Sequence, residues 1–265
     1  MHLQNEFVRI QAEGWTYQLR PDLAEPAFAN LCALPASVYS ENVVPVVSSP
    51  NTEVRRFSYQ GRAYFLKEYF FLGWKKHFKV LRRGEHLVRI ATRMEEHGFL
   101  TPRVVGIGRS GRNRRVVTEA VEDARDVWQV LYPDFKRHRG DMEDGFLQAL
   151  GHTIGDLHRS GFFHGDLRWR NVLTRIDEGS WKFYFIDNDR TRWFRWGIPF
   201  SCRVKNLSQM LFSGLLVGWS QPEWMMFFSC YLDRSGLPRT LHGKLLDSAE
   251  AVARRRLDER QIKRC

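Results

Sequence analysis

The first part of the chain alternates apolar and polar residues over short runs, a pattern typical of half-buried β-strands. Two of these runs flank Gln60-Gly61-Arg62, which predicts a β-hairpin with its turn at Gly61. The predicted strands are residues 7–10, 15–19, 55–59, 63–67, 103–107 and 114–119. The first half of the chain is therefore expected to be rich in β-structure.

A helical spacing of apolar residues interrupts this series of strands. The spacing predicts one helix from Lys76 to His97, with Gly98 ending it. Its apolar positions are Val80, Leu87, Ile90, Ala91 and Met94. The sequence thus places a single helix between the second and third pairs of strands.

The second half of the chain begins with a helix whose apolar face ends near Gly161, a residue suited to a helix C-terminus. That face is formed by Phe146, Leu150, Ile154 and Leu157. A loop over 163–170 precedes a second hairpin, with strands at 171–175 and 181–186. The remainder of the chain is predicted to be helical, with Pro222 in the first turn of one helix and a very basic helix at the end of the segment from Pro238 to Lys263.

The order of these elements predicts an α+β, two-lobed, protein-kinase-like fold. The N-lobe would comprise residues 1–119, with strands and one helix. The C-lobe would comprise residues 120–265 and would be mainly helical.

Composition and charge restrict the partners of such a protein. Hydrophobic residues make up 43% and charged residues 27%, as in soluble globular proteins. The net charge of +11 favours anionic partners, which include nucleotides, phosphorylated substrates, nucleic acid and acidic membranes. The four cysteines lie too far apart for a zinc or redox motif, and Met1 to Phe7 lacks the features of a secretory signal. We expect a cytosolic protein, or one peripheral to a membrane.

Two segments carry the residue types and spacing of phosphoryl transfer. His164-Gly165-Asp166 is followed by Asn171 and a predicted strand, and Phe185-Ile186-Asp187 follows the second hairpin. In kinases the aspartate of such a loop orients the acceptor hydroxyl and accepts its proton, and the asparagine reaches a metal ion on the phosphates. Asp187 lies where a kinase has its main Mg²⁺ ligand. The sequence therefore predicts Asp166 as the catalytic base, with Asn171 and Asp187 as the metal ligands.

Lys67 ends an apolar predicted strand, where its charge needs a partner. A kinase lysine in this position contacts the α- and β-phosphates of ATP and pairs with a helix glutamate. Glu85 is the preferred partner because it lies early in the predicted helix, while Glu95 and Glu96 are later alternatives. A strand-edge lysine with a solvated head group is the structural alternative.

Adenine would be bound at the end of the last strand of the N-lobe. Kinases hold adenine by backbone groups at the connection between the lobes, and Glu119 and Val121 occupy that position. Their side chains would then serve no chemical purpose. A plain strand end explains both residues equally well.

These motifs together resemble those of the lipopolysaccharide core kinases. The resemblance runs from about Phe57 to Phe212 and adds Phe65-Leu66-Lys67-Glu68-Tyr69, Ile186-Asp187-Asn188-Asp189-Arg190 and Val204-Lys205-Asn206-Leu207 to the catalytic loop. Enzymes of this family phosphorylate inner-core Kdo or heptose in Gram-negative bacteria. The resemblance implies ATP and Mg²⁺ as cofactors, a lipid-linked sugar as acceptor, and a location on the cytosolic face of the inner membrane.

Aromatic and basic residues interleave in two stretches, residues 69–79 and 190–200. The second contains Arg192, Trp193, Arg195 and Trp196. Indole rings favour a membrane interface and cations favour lipid phosphates, so this segment is predicted to contact an anionic membrane surface or the acceptor. Single-stranded nucleic acid would also suit this chemistry, and a buried aromatic cluster with solvated charges is the structural alternative.

Other functions fit parts of the sequence. A small-molecule or protein kinase of another H-G-D family would share the catalytic loop. A pseudokinase that binds nucleotide or membrane is compatible with the lack of a glycine-rich loop at 48–53. An RNA-binding protein would need its basic residues in one groove, and we do not expect nucleic acid as a partner. The sequence does not predict an oligomeric state.

Overall fold

The computed structural model describes residues 7–35, 43–49, 52–70, 83–134 and 141–262. The start of the predicted helix at Lys76 and nearly all of the 69–79 stretch lie outside these residues. The chain divides into two compact units. Unit 1 contains Met1–Thr92 and Pro102–Glu122, and unit 2 contains Arg93–Thr101 and Asp123–Cys265. The sequence predicted one boundary after Glu119, whereas the structure divides the chain after Glu122 and assigns residues 93–101 to unit 2.

Unit 1 is built on a seven-stranded antiparallel sheet in the order β1-β2-β6-β7-β5-β4-β3. Its strands are β1 Val8–Ala12, β2 Trp15–Leu19, β3 Val43–Ser49, β4 Thr52–Tyr59, β5 Arg62–Tyr69, β6 Val104–Ser110 and β7 Asn113–Glu119. The predicted hairpin forms between β4 and β5, with Tyr59 opposite Arg62. Gln60 and Gly61 both have positive φ, which matches the right-handed twist of the two strands.

Two helices cover parts of this sheet. The sequence did not predict α1, Pro26–Ala33, which packs Phe28 and Cys32 among the apolar side chains of the sheet. Helix α2, Arg83–Glu96, is the described part of the predicted helix, and Gly98 follows it with a φ of 80°. Its residues Val88 and Ala91 pack against a second apolar cluster on the sheet.

A buried cluster of charged residues lies between the C-terminus of α1 and the sheet. The Arg115 guanidinium donates to Glu68 Oε2 at 2.7 and 2.9 Å and stacks 3.9 Å from the centre of the Trp15 ring. Arg55 Nη2 lies 3.6 Å from the same carboxylate. Both arginines also donate to the Leu34 carbonyl just past α1, so they satisfy acceptors that the helix itself leaves open. The cluster joins α1 to the sheet through charge-assisted hydrogen bonds.

Loss of Arg115 should destabilise the protein strongly, because the Glu68 carboxylate would lose its two shortest hydrogen bonds while staying buried. We expect Arg115→Met to lower the free energy of unfolding by about 3–5 kcal/mol. Denaturant unfolding measures this, and Arg9→Met, an exposed strand position, should change it by no more than about 0.5 kcal/mol. Equal stability of the two variants would contradict this role of the cluster.

Unit 2 is mainly helical, with two small antiparallel sheets. The helices are α3 Val127–Asp134, α4 Asp141–Arg159, α5 Phe200–Val217, α6 Gln221–Ser235 and α7 His242–Ile262. The strands are β8 Arg125–Asp126, β9 Phe162–Phe163, β10 Val172–Asp177, β11 Ser180–Phe185 and β12 Arg192–Trp193. The predicted second hairpin is formed by β10 and β11. Val172 lies opposite Phe185 at one end of the pairing, and Asp177 lies opposite Ser180 at the other.

Helices α4 and α6 pack closely against each other within unit 2. A Cβ atom on Gly151 would lie 2.5 Å from the Phe227 carbonyl oxygen, and one on Gly155 would lie 2.5 Å from that of Tyr231. The two glycines are four residues apart on one face of α4, so they allow the backbones to approach. This approach places His158 of α4 next to Tyr231 of α6. Among the residues described, no helix has the length and hydropathy needed to cross a bilayer.

Candidate active site

The loop between β9 and β10 carries the predicted catalytic residues, and His164 anchors it. The His164 ring is fully buried, and its Nε2 donates to the Ile186 carbonyl at 2.9 Å. Burial lowers the pKa of His164, so the ring is neutral. The bond ties the catalytic loop to the strand end that immediately precedes Asp187.

Gly165 is required by the path of the backbone. Its φ is 78°, and a Cβ atom there would lie 2.6 Å from the Arg190 carbonyl oxygen. An arginine or any other side chain would collide with this backbone as well as strain its own. The loop therefore has glycine where other kinases have the arginine of H-R-D.

The Asp166 carboxylate is held on three sides. Oδ1 accepts from Gln209 Nε2 at 3.2 Å and lies 2.9 Å from Arg168 Nε. Asn171 Nδ2 donates to the Asp166 carbonyl at 2.8 Å and lies 3.4 Å from Oδ2. The Asp166 side chain is still 23% exposed, so a hydroxyl group can reach it.

The Asn171 amide is also orientated for metal binding. Because its Nδ2 faces Asp166, its Oδ1 points away as an acceptor. Carboxylate and amide oxygens are the ligands that Mg²⁺ takes from proteins, so Asn171 and Asp187 fit this ion. No cluster of three or more His, Cys, Asp or Glu side chains suited to a metal occurs in the described residues. Mg²⁺ commonly binds to one or two protein carboxylates and takes its remaining oxygen ligands from water and phosphates.

Asp187 follows β11 in a left-handed backbone conformation, with φ 57° and ψ 44°, and its side chain is exposed. Aspartate is one of the few residues besides glycine that adopt this conformation, which here turns the backbone directly after β11. Asn188 stabilises the turn, since its Nδ2 donates to the Phe185 carbonyl and its Oδ1 accepts from Thr191. Asn188 therefore has a structural role beside the predicted metal ligand.

Two buried amide side chains on α5 form hydrogen bonds with the backbone of the catalytic loop. Gln209 Oε1 accepts from the Leu167 amide at 3.0 Å and from Asn206 Nδ2 at 3.2 Å. Asn206 Oδ1 accepts from the His164 amide at 3.3 Å and from His158 Nε2 at 3.1 Å. The same Gln209 side chain thus contacts both the loop backbone and the predicted catalytic base.

The network continues into α6. His158 Nδ1 accepts from the Tyr231 hydroxyl at 3.0 Å, and that oxygen accepts from Arg203 Nη1 at 2.9 Å. Burial lowers the pKa of His158 to about 3, and the neighbouring Arg203 charge acts in the same direction. His158 is therefore a neutral link between the catalytic loop and the α4–α6 contact.

In unit 1, Lys67 lies on β5 and is half-buried, with its Nζ 5.3 Å from the centre of the Tyr69 ring. Glu85 lies in the first turn of α2 and is exposed. Its carboxylate partly offsets the effects that lower the pKa of Arg114, of which burial is the largest. The Lys67–Glu85 ion pair stays a prediction.

Glu119 ends β7, where its carboxylate pairs with Arg62 at 3.1 Å and lies 3.7 Å from Arg103. Its backbone amide donates to the Arg103 carbonyl, and the Ala120 amide donates across the sheet. The side chain of Glu119 therefore serves unit 1 structurally. The predicted roles of the Glu119 and Val121 backbones in binding adenine stay predictions.

The predicted membrane segment contains two different tryptophan environments. Trp193 is half-buried, donates through Nε1 to the Ser160 carbonyl at 3.0 Å, and has the Arg93 guanidinium 4.4 Å from its ring centre. Trp196 is 90% exposed, with Arg195 beside its ring. Arg192 is exposed on β12. Trp193 is thus engaged in packing within unit 2, whereas Trp196 and both arginines face solvent.

An antiparallel-sheet unit followed by a helical unit with this catalytic loop defines a protein-kinase-like phosphotransferase fold. A solved structure described as WaaP in complex with acyl carrier protein has a TM-score of 0.62 to this chain. The match covers 80% of this chain and 88% of that one at 22% sequence identity, so it shows the fold. The predicted α+β kinase-like fold is confirmed.

The lipopolysaccharide kinase (Kdo/WaaP) family matches residues 54–231, well over half of the chain, and the chain belongs to this family. The lipopolysaccharide core heptose(I) kinase WaaP of Pseudomonas aeruginosa is 25% identical over 197 residues, which is 68% of this chain and 73% of that protein. Membership implies a phosphotransferase that uses ATP in lipopolysaccharide biosynthesis. The resemblance and the enzyme class predicted from the sequence are therefore confirmed.

Sequence reasoning missed the supporting network. Asn206 and Gln209 lie three residues apart on α5, among the buried apolar residues Leu207, Met210 and Leu211. Polar residues at helical spacing within an apolar helix are a signal for buried hydrogen bonds. The spacing of the two amides is visible in the sequence, but their hydrogen-bond partners can be identified only in the structure.

The buried His158 should make the protein sensitive to acid. Its pKa is about 3 when folded and near 6.5 when unfolded, so between these pH values only the unfolded chain binds the proton. The free energy of unfolding should therefore fall by about 1.4 kcal/mol per pH unit as the pH decreases below about 6.5. Denaturant unfolding at several pH values should show a shallower slope for His158→Gln, by about one proton. Identical slopes for the parent and the variant would contradict the buried neutral histidine.

Proposed function

We propose that this protein is a Mg²⁺-dependent kinase that transfers the γ-phosphate of ATP to a hydroxyl group of an inner-core lipopolysaccharide sugar, either Kdo or heptose. One observation carries this proposal. The Asp166 carboxylate is held by Gln209 and Asn171 while part of it stays exposed, and the Asn171 amide uses its Nδ2 as the donor, which leaves its oxygen as the metal-binding atom. A proton acceptor and a metal ligand are thus fixed relative to each other.

The residues would divide the work as follows. Asp166 would orient the acceptor hydroxyl and accept its proton, since its carboxylate is partly exposed and is held by hydrogen bonds. Asn171 and Asp187 would hold Mg²⁺, which when bound would supply positive charge for the phosphates. Lys67 contacts the α- and β-phosphates, and Glu85 orients Lys67. The Glu119 and Val121 backbones bind adenine.

The acceptor class follows from the family and from its named relative. The Pseudomonas protein is a core heptose(I) kinase, and the family also takes its name from Kdo. Both sugars offer hydroxyl groups on an anionic, lipid-linked oligosaccharide. The net charge of +11 favours such an acceptor over a neutral sugar.

Because the acceptor is held in a membrane by its lipid, the kinase would work at the cytosolic face of the inner membrane. Trp196, Arg192 and Arg195 are exposed and have the chemistry of an interface: an indole ring for the boundary and guanidinium groups for lipid phosphates. Trp193 has a packing role within unit 2 instead, because its indole N–H donates a hydrogen bond to the Ser160 carbonyl. We therefore assign membrane contact to the three exposed residues.

The catalytic assignment predicts two separable defects. Asp166→Asn should lower the rate of phosphoryl transfer by roughly 10²- to 10⁴-fold while nucleotide binding is kept, because only proton acceptance is lost. Asp187→Ala should also lose Mg²⁺-dependent nucleotide binding. ADP release with purified core lipopolysaccharide and equilibrium binding of ATP measure the two effects.

The control for this pair is Asp177→Asn, which removes an exposed carboxylate from the β10–β11 hairpin. It should leave both measurements unchanged. Parental turnover by Asp166→Asn would reject Asp166 as the base. Parental Mg²⁺-dependent binding by Asp187→Ala would reject Asp187 as the metal ligand.

Membrane contact can be tested by comparing the two tryptophans. Replacing Arg195 and Trp196 together by Ser should lower binding to anionic vesicles roughly fivefold or more, because a cation near such a surface contributes about 1 kcal/mol. The same replacement should leave the unfolding midpoint unchanged, whereas Trp193→Ser should lower it. Co-sedimentation with vesicles at low and high salt, together with thermal unfolding, distinguishes the two. Undiminished vesicle binding by the double variant would contradict the assignment.

A further inference from the structure

A basic pocket opens beside Asp166 within unit 2. It has a volume of about 600 Å³ and is lined by two carboxylates, Asp166 and Glu259, and by five cations, Arg168, Arg190, Lys205, Arg256 and Arg260. These come from the catalytic loop, the turn after Asp187, α5 and α7. We call this pocket the basic basin. Asp166 lines it, but neither Asn171 nor Asp187 is among its lining residues.

Two of these arginines lie beside the buried stripe of α7. Leu245, Ala249 and Ala253 form the buried stripe of the helix, spaced four residues apart. Leu257 continues this stripe and is half-buried, while Arg256 and Arg260 lie on the same side of the helix beside it. Arg256 is half-buried and Arg260 is exposed. The edge of α7 that lines the basic basin thus carries two arginines next to the apolar stripe.

The charges of the basic basin are only partly compensated. Arg168 Nε lies 2.9 Å from Asp166 Oδ1. Glu259 lies 3.9 Å from Arg255, which is not one of the five cations of the basin. Within the described residues, the side chains of Arg190, Arg256 and Arg260 form no ion pair. Like charges gathered around one concavity repel each other, which raises the free energy of the protein until an anion binds. Guanidinium groups suit carboxylate and phosphate oxygens because their donors are arranged in a planar fork.

We propose that the basic basin binds an anionic group of the acceptor, a carboxylate or a phosphate ester, and so places a neighbouring hydroxyl group at Asp166. This inference rests on the proposed function. The basin contains the proton acceptor but not the metal ligands, which favours the acceptor over the nucleotide as its ligand. Arg190, Lys205, Arg256 and Arg260 are then specificity-determining residues, and α7 belongs to the acceptor site.

The test compares two pairs of arginines on the same helix. Replacing Arg256 and Arg260 together by Gln should raise the KM for detergent-dispersed core lipopolysaccharide at least roughly tenfold, since charge-assisted hydrogen bonds are lost. The KM for ATP and the acceptor-independent hydrolysis of ATP should be unchanged. The matched control replaces Arg254 and Arg255 by Gln, which removes the same charge from exposed positions of α7 and should keep the parental KM for the acceptor.

A second variant distinguishes weaker acceptor binding from misfolding of the first variant. Lys205→Gln on α5 should raise the KM for the acceptor in the same direction, and thermal unfolding should show each variant to be folded. A parental KM for the acceptor in both Arg256→Gln/Arg260→Gln and Lys205→Gln would overturn the inference. An equal increase in the control pair would also overturn it, since net charge alone would then explain the effect.

The chemical identity of the anion is resolved by modifying the acceptor. If a phosphate ester occupies the basic basin, enzymatically dephosphorylated lipopolysaccharide should have the same KM with the parent and the Arg256→Gln/Arg260→Gln variant. If a carboxylate occupies it, carboxyl-reduced lipopolysaccharide should show this equality instead. A difference that survives both modifications would contradict an anionic ligand. Failure of the parent itself to phosphorylate any acceptor would instead reject the proposed function.

Discussion

The position of Asp166 depends on one buried amide, the side chain of Gln209. This side chain donates to the carboxylate of Asp166 and accepts from the backbone of Leu167, so it fixes both the acidic group and the loop that carries it. Asn206 holds Gln209 and the His164 amide in turn. An unpaired amide in this interior would cost roughly 1–3 kcal/mol, which favours the one loop conformation that satisfies both residues.

The neutral state of two histidines follows from the same network. His158 and His164 are fully buried and each donates through Nε2, to Asn206 and to the Ile186 carbonyl respectively. Burial lowers the pKa of both rings, so their hydrogen bonds are stable at neutral pH. The neutral rings connect α4, α5 and the strand end before Asp187, and so link the elements that carry the proposed proton acceptor and the proposed metal ligands.

Local sequence patterns predicted much of this protein, and tertiary contacts account for what they missed. Alternation and turn residues located both hairpins, and the spacing of Asp166, Asn171 and Asp187 indicated the chemistry. Helix α1 was missed because its stability comes from the sheet and from the arginines at its C-terminus. The basic basin was missed because the inward face of α7 is recognisable only when the burial of Ala249 and Ala253 is known.

The central claim is that Asp166 serves phosphoryl transfer to a core sugar, and the most direct test is phosphorus NMR of the product. Purified core lipopolysaccharide would be incubated with ATP, Mg²⁺ and either the parent protein or Asp166→Asn. The account predicts a new phosphate monoester on a Kdo or heptose residue with the parent and almost none with the variant. ATP hydrolysis without a new sugar phosphate, or equal phosphorylation by both proteins, would contradict it.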